Sequence, residues 1–165
     1  MKFLKAIFLL LTLSTILSCS EQENFQSLQP PIMFQSGDEC HVCGMIITRF
    51  PGPKGQAFDK RGKQIRKFCS TVDLLSWYLQ PENKSNVVEI YVHDMAQIDW
   101  RSPDDTKLIN ARKATYVLGS NRKGSMGNTI ASFKKLSDAD NFILKFGGSL
   151  INFNQLTVDI LVDIN

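Results

Sequence analysis

The order of apolar and polar residues along the chain predicts a protein built from both strands and helices. Its first half carries three short β-prone runs and then a longer one, at residues 46–48, 57–59, 64–68 and 87–92. Between the last two runs, apolar residues recur at the spacing of one helix face, as Val72, Leu75 and Leu79. Ser70 and Asp73 have the spacing of a capping box, and Pro81 is expected to end this helix.

The second half repeats this order of elements. Three β-prone runs lie at residues 114–118, 129–133 and 150–153. A helix is expected between the last two, with an apolar face formed by Ala139, Phe142, Ile143 and Phe146. Ser137 and Asp140 are predicted to cap this helix and Gly147 to stop it. The chain therefore predicts an α+β fold of two small ββαβ-type units, residues 37–105 and 106–165, in an order that suits an internal duplication.

The N-terminal residues have the pattern of a bacterial export signal. A basic start at Lys2 and Lys5 precedes an apolar run from residue 7 to residue 17, which is short for a permanent membrane-spanning helix. The run ends at Cys19 in a sequence that resembles a lipobox, so residues 1–18 are predicted to be a lipoprotein signal peptide and Cys19 to be acylated. An ordinary cleaved signal peptide that ends near a cysteine by chance is the alternative.

The segment after the signal has the composition of a tether. Residues 19–36 are rich in Gln, Ser, Glu, Asn and Pro, which predicts a flexible connection between the membrane lipid and the folded part. Ser20, where an aspartate would favour the inner membrane, favours the outer membrane by resemblance to Gram-negative sorting rules. We therefore expect the folded part to be lipid-anchored on the periplasmic side.

Charge and motif content exclude several classes of function. Removal of residues 1–18 takes away two of the 19 basic residues and none of the 16 acidic ones, so the mature chain is close to neutral. No basic stripe remains that would indicate nucleic-acid binding. The sequence contains no Ser–His–Asp arrangement, paired catalytic carboxylates, phosphate loop or cofactor fingerprint, and we do not expect an enzyme.

Cys40 and Cys43 form a Cys-x-x-Cys motif in this exported chain. Two thiols at this spacing can chelate a metal ion, exchange with a disulfide, or form an inert structural disulfide. The β-prone run 46–48 argues against a thioredoxin-like enzyme, in which a helix follows the motif and lowers a thiol pKa. A zinc site would need two further ligands. The remaining cysteine, Cys69, is interpreted as a small buried residue.

Methionine and histidine side chains supply further candidate ligands. Met45 lies two residues after Cys43, and Met126 lies in a polar, glycine-rich loop where an apolar side chain has little burial to gain. Thiolate and thioether ligands together favour Cu(I) over hard cations. His41 and His93 are the two histidines of the chain, and for each a ligand role and a structural role stay open.

Taken together, these residues resemble the NosL family of copper-binding accessory lipoproteins, from about residue 38 to residue 153. The resemblance rests on short motifs in a fixed order. They are Cys43-Gly44-Met45 with the isoleucines that follow, Pro51-Gly52-Pro53, Phe68 with Trp77-Tyr78-Leu79, Tyr91-Val92-His93-Asp94, Trp100, residues 111–117 with Gly119-Ser120, Met126-Gly127, and residues 142–148.

The resemblance implies a fold of two small ββαβ units that holds one Cu(I) in the periplasm. It also implies that the ion passes to the copper centres of nitrous-oxide reductase, with the help of an ABC-type membrane complex. The copper ligands expected from the matching positions are Cys43 and Met126 first, then Cys40 and Met45.

The chain departs from the family pattern in two places. Ser125 stands where Gly or Pro is more usual, and Asn128 stands where many members have a basic or imidazole side chain. If an imidazole completes the copper site in this chain, it has to come from His41 or His93.

Overall fold

The structure is a computed structural model that describes residues 29–60 and 64–164. The predicted signal peptide, Cys19 and most of the predicted tether lie outside these residues. Within the described part of the chain, no helix is long and apolar enough to cross a membrane.

Four antiparallel strands form the first sheet. They are β1 (Gly55–Asp59), β2 (Ile65–Phe68), β3 (Val87–His93) and β4 (Leu108–Asn110), in the spatial order β2-β1-β3-β4. β1 is buried along almost its whole length because it lies between two strands and under a helix. β2 is the outermost strand on one side, and its C-terminal end leads directly into that helix.

Two helices connect β2 to β3, α1 (Thr71–Tyr78) and α2 (Pro81–Asn86). The predicted N-cap of α1 is confirmed, because the Ser70 hydroxyl accepts a hydrogen bond from the Asp73 amide at 2.9 Å. α1 ends before Pro81, as expected, but Pro81 then begins α2 in the first turn. Proline is tolerated there because the first amides of a helix have no partner within it.

The second unit contains, in chain order, β5 (Thr115–Leu118), a small ribbon of β6 (Lys123–Gly124) and β7 (Gly127–Asn128), β8 (Ala131–Phe133), α3 (Leu136–Phe146) and β9 (Ser149–Asn152). Three of these strands form the second antiparallel sheet, in the spatial order β8-β5-β9. A last helix, α4 (Val158–Val162), packs against α1 of the first unit.

Both units have the same topology. In each, the first strand is central, the second and third strands flank it, and a helix lies between the second and third strands in sequence. The predicted α+β class and the ββαβ order are therefore confirmed. A shared topology does not establish common ancestry, so the duplication and the unit boundaries stay predictions.

Two local predictions were wrong. Residues 46–48 do not form a strand, because only Ile46 makes a bridge, to Glu39, and Ile47–Arg49 is a turn of 3-10 helix that buries the Ile47 side chain completely. α3 begins at Leu136 after the N-cap Lys135, so Ser137 lies inside the first turn and is not its cap. The strand β4, the ribbon β6–β7 and the helix α4 had no prediction.

The two units share their main hydrophobic core. Ala57, Leu75 and Ile90 of the first unit lie in one cluster with Tyr116 and Ile151 of the second. The Tyr116 hydroxyl donates to the Ala111 carbonyl at 2.5 Å, which satisfies a polar group that is fully buried. Because each sheet covers apolar surface of the other, the two units pack as one body.

Residues 29–36, assigned to the tether from composition, contact the first sheet. The Ile32 backbone exchanges two hydrogen bonds with the Gln56 side chain, and the Tyr91 hydroxyl donates to the Gln29 carbonyl at 2.7 Å. Phe34 is buried, with 8% of its surface exposed. This segment therefore lies along the folded part before the chain reaches the cysteine motif.

The two glycines after α3 provide a matched test of backbone packing. Gly147 and Gly148 both have positive φ, at +72° and +101°, but a Cβ on Gly147 meets nothing within 4 Å, whereas one on Gly148 would collide with the Leu118 carbonyl and the Val117 side chain. We expect Gly148→Ala to lower the free energy of unfolding by about 3 kcal/mol and Gly147→Ala by about 1 kcal/mol. Urea unfolding followed by tryptophan fluorescence measures both, and equal losses would contradict the close approach at Gly148.

Candidate metal centre

The Cys-x-x-Cys motif lies in a tight loop that is closed by hydrogen bonds within its own backbone. The Cys40 amide donates to the Met45 carbonyl and the Gly44 amide to the Cys40 carbonyl, both at 2.9 Å. Gly44 has φ of +72°, a conformation that glycine adopts without steric cost. The His41 amide donates to the Lys67 carbonyl at 2.8 Å, which joins the loop to the strand β2. The loop is therefore fixed to the end of the sheet where β2 meets α1.

Cys69 is brought to this loop by the strand that precedes it. It follows β2 directly and stands one residue before the Ser70 cap of α1, and its surface is fully buried. The Sγ atoms of Cys69 and Cys43 are 3.5 Å apart. All three thiols, Cys40, Cys43 and Cys69, are free, with Cys43 exposed and the other two buried.

A fourth candidate ligand, Asp73, reaches the same place from the first turn of α1. One ligand atom from each of Cys40, Cys43, Cys69 and Asp73 lies within 4.8 Å of all the others. Two sulfur ligands that share one ion at about 2.3 Å each are at most about 4.6 Å apart, so the spacing of the thiols suits a common metal ion. We call these four residues the thiol cluster.

Hydrogen bonds orient the buried side of the thiol cluster. The Cys69 thiol donates to Asp73 Oδ2 at 3.1 Å, and the Ser70 hydroxyl donates to the same oxygen at 2.9 Å. The Ser125 hydroxyl, from the turn between β6 and β7, donates to Cys69 Sγ at 3.2 Å. Cys69 therefore links residues of both units.

The three thiols differ in their tendency to ionise. The neighbouring Cys69 side chain, with backbone amides of Cys69, Cys43 and Val42, lowers the pKa of Cys40 to about 5 against the opposing effect of burial. The proximity of Cys40, together with burial, raises the pKa of Cys69. Desolvation also raises the pKa of Cys43. Of the three thiols, Cys40 is therefore the one that ionises most easily.

The two methionines predicted as ligands differ in burial. Met45 is partly buried against a small core that contains Cys40 and Cys69. Met126 lies in the turn of the β6–β7 ribbon, next to Ser125, and 58% of its surface is exposed. The ligand roles of Met45 and Met126 remain predictions, as do those of Cys40 and Cys43.

His93 is engaged elsewhere. Its ring is buried, Nδ1 accepts from the Lys54 amide at 2.9 Å, and Nε2 lies 3.0 Å from Asp105 Oδ1. Because both ring nitrogens already have protein partners, this histidine has a structural explanation, and it is not among the residues of the thiol cluster.

His41 also lies outside the four-residue cluster, although it stands between two of its members in sequence. Its ring packs edge-on against Phe68 and Trp77, at centroid distances of 5.9 and 5.6 Å. Desolvation, followed by the nearby Arg66 charge, lowers its pKa below the ordinary histidine value. The neutral ring is therefore favoured at this place.

Sequence reasoning missed two members of the cluster, Cys69 and Asp73. Cys69 was interpreted as a structural residue and Asp73 as part of a cap, and each has that role as well. The signal that could have found them is the odd number of cysteines left after Cys19, together with a cysteine placed at the end of a strand next to the motif.

Fold and site together define a small α+β protein with a thiol-rich candidate centre for a soft metal ion. The family model described as NosL matches residues 31–161. The copper-binding lipoprotein NosL of Stutzerimonas stutzeri is 49% identical over 138 residues, which span 84% of this chain and 72% of that protein. The copper-binding lipoprotein NosL of Achromobacter cycloclastes is 33% identical over 145 residues, covering 86% of this chain and 75% of that protein.

The fold has a counterpart among solved structures. The crystal structure of the copper chaperone NosL from Shewanella denitrificans superimposes with a TM-score of 0.75 at 47% identity, over 78% of this chain and 96% of that one. The chain belongs to the NosL family, as its motifs predicted.

The unequal thiols can be distinguished by a titration of the metal-free protein. Thiolate absorbance near 240 nm is expected to rise first with a midpoint near pH 5, because Cys40 is ionised above its lowered pKa and protonated below it. Cys40→Ala should remove this step, and Cys69→Ala should move it to higher pH, because the Cys69 side chain contributes most to the lowered pKa of Cys40. A step near pH 5 that persists in Cys40→Ala would assign the thiolate to another cysteine.

Proposed function

We propose that this chain is a lipid-anchored periplasmic Cu(I) chaperone that binds one ion at the thiol cluster and passes it to a copper-accepting protein. The observation that carries the proposal is the convergence of three free thiols, with the exposed thioether of Met126 in the turn that contacts one of them, Cys69. Thiolates and thioethers are the ligands that favour Cu(I). The names of the relatives support copper as the cargo.

We assign the ion to Cys43, Cys40 and Met126, with Met45 as the next candidate. Cys43 is exposed and is the first thiol that an incoming ion meets, while the buried Cys40 is the thiol most easily ionised. A site with few ligands, one of them at the surface, suits a carrier, because the acceptor can displace one ligand at a time.

Cys69 and Asp73 have a supporting role in this assignment. The Asp73 carboxylate lies 3.1 Å from the Cys69 sulfur, and a negative charge so close disfavours a second one on that sulfur. A carboxylate is also a hard ligand that Cu(I) does not favour. Cys69 therefore supports the site as a neutral thiol beside Cys40, and Asp73 orients it by accepting its hydrogen bond.

The family resemblance extends the proposal to partners. It favours nitrous-oxide reductase as the copper acceptor and an ABC-type membrane complex as the assisting component. The copper-binding lipoproteins among the relatives support membrane anchoring, with acylated Cys19 as the attachment point and the outer membrane favoured by Ser20.

The two alternative functions inferred from the sequence would use the same residues in different ways. A thiol–disulfide redox protein would use Cys40 and Cys43, and the lowered pKa of Cys40 would suit it, but this function leaves Met126 without a role. A zinc or disulfide staple would explain the thiols and Asp73, but it leaves Met126 without a role. Copper binding uses the thiols and the exposed thioether together.

Competition against a strong Cu(I) chelator tests the ligand assignment. Wild type is expected to bind one Cu(I) per chain, and Cys43→Ser and Met126→Ala are each expected to weaken binding about a hundredfold, since even residues that only orient ligands contribute about 10–100-fold. Cys69→Ser, which keeps an O–H donor, should weaken it less. The control is Met33→Ala, because Met33 is similarly exposed, at 60%, and lies outside the candidate site.

The same titration separates the alternatives. Wild-type affinity in both Cys43→Ser and Met126→Ala would overturn the site. A redox protein predicts disulfide reductase activity that needs Cys40 and Cys43 but not Met126. A zinc or disulfide staple predicts that chelators or reductants unfold the protein and that Cu(I) has no preferred binding.

Lipid anchoring is tested by metabolic labelling with a tagged palmitate analogue. The wild-type protein should carry the label and sediment with membranes, because the Cys19 thiol is the predicted acylation site. Cys19→Ala should lose the label, while Cys69→Ala, which also removes one thiol, should keep it. Labelling that survives in Cys19→Ala would contradict lipid attachment at this residue.

A further inference from the structure

The β6–β7 ribbon belongs to the second unit, yet its turn reaches the cysteines of the first. Ser125 and Met126 form this turn between Gly124 and Gly127. The Ser125 hydroxyl donates to Cys69 Sγ at 3.2 Å, across 56 positions in sequence. Met126, the proposed ligand from the second unit, therefore stands next to Ser125, which contacts a thiol of the first unit.

The base of the ribbon is held by other parts of the fold. The Trp100 indole donates to the Lys123 carbonyl at 2.8 Å, and the Asn128 side-chain amide donates to the Ile164 carbonyl at 2.7 Å. On the first-unit side, a Cβ on Gly52 would lie 3.3 Å from the Gly124 Cα, so the two backbones are in close contact there. The turn beyond Gly124 extends past these contacts.

Little packing holds the turn itself. Met126 has 58% of its surface exposed, and Gly127 has a positive φ of +105°. A methionine side chain has three rotatable bonds, and Gly127, on the far side of Met126 from Gly124, allows the backbone conformations that other residues rarely adopt. The position of the thioether therefore depends on what anchors the neighbouring residue.

We propose that Ser125 is a positioning residue, whose hydrogen bond to Cys69 holds the β6–β7 turn so that Met126 lies beside the thiol cluster. The inference rests on the proposed copper function for its purpose, but its geometry can be tested without copper. A sulfur atom accepts this bond as a thiol or as a thiolate, so the anchor persists when the cluster changes charge.

The first test uses the metal-free protein with methionine methyl groups labelled with ¹³C. In wild type, the Met126 methyl group should show cross-relaxation to the Cys43 or Cys69 side chain, and Ser125→Ala should abolish it because the turn loses its anchor. Ser125→Thr, which retains a hydroxyl, should restore it. The exposed Met33 methyl serves as an internal reference that none of these variants should move. Cross-relaxation that is unchanged in Ser125→Ala would overturn the proposal.

The second test is a double-mutant cycle on Cu(I) affinity. Ser125→Ala is expected to weaken binding about tenfold, as loss of a residue that orients a ligand does. In a Met126→Ala background the same substitution should have no further effect, because Ser125 acts through Met126. An equal loss in both backgrounds would show that Ser125 acts on Cys69 alone and would overturn the proposal. If wild type binds no Cu(I), the proposed function fails, and the methyl experiment alone decides the positioning role.

Discussion

The candidate centre depends on one backbone contact, between the cysteine loop and the outermost strand of the first sheet. The His41 amide donates to the Lys67 carbonyl, and two residues later β2 delivers Cys69 beside Cys43. This contact joins the Cys-x-x-Cys motif to the sheet, and the packing of the His41 ring on Phe68 and Trp77 supports it. With this contact, the register of the β1–β2 hairpin decides which residue meets the motif, because a slip of one position turns every side chain of a strand to its other face.

A buried polar network holds Phe34, which packs against the thiol cluster. Phe34 packs under Cys40 and Cys69, and its amide donates to Asp105 at 2.8 Å. The other oxygen of Asp105 pairs with His93, whose second nitrogen accepts from the Lys54 amide. Buried polar groups are costly unless every one of them has a partner, and these have partners. His93 thus helps to fix the position of Phe34 next to the thiol cluster.

Sequence patterns predicted the features that residues close together in sequence determine. They failed for features that depend on residues distant in sequence. The Ser70 cap, the helix face of α1 and the ββαβ order follow from residues a few positions apart. The role of Cys69 depends on strand pairing and on Ser125, which is far away in sequence, so residue type alone indicated only a buried thiol. The run 46–48 has high β-propensity, but the burial of Ile47 overrides it.

Charge explains why a thioether from the second unit is useful here. A buried anion is costly, and the amides around Cys40 offset that cost for one thiolate. A Cu(I) ion held by three thiolates next to Asp73 would leave a net charge of about −3, whereas Cys40, Cys43 and neutral Met126 leave about −2 with the same carboxylate. Replacing a thiolate with a thioether therefore keeps a soft ligand while it removes one negative charge. That gain exists only if the β6–β7 turn holds Met126 at the cluster, so the proposed Cu(I) site depends on the contact between the two units.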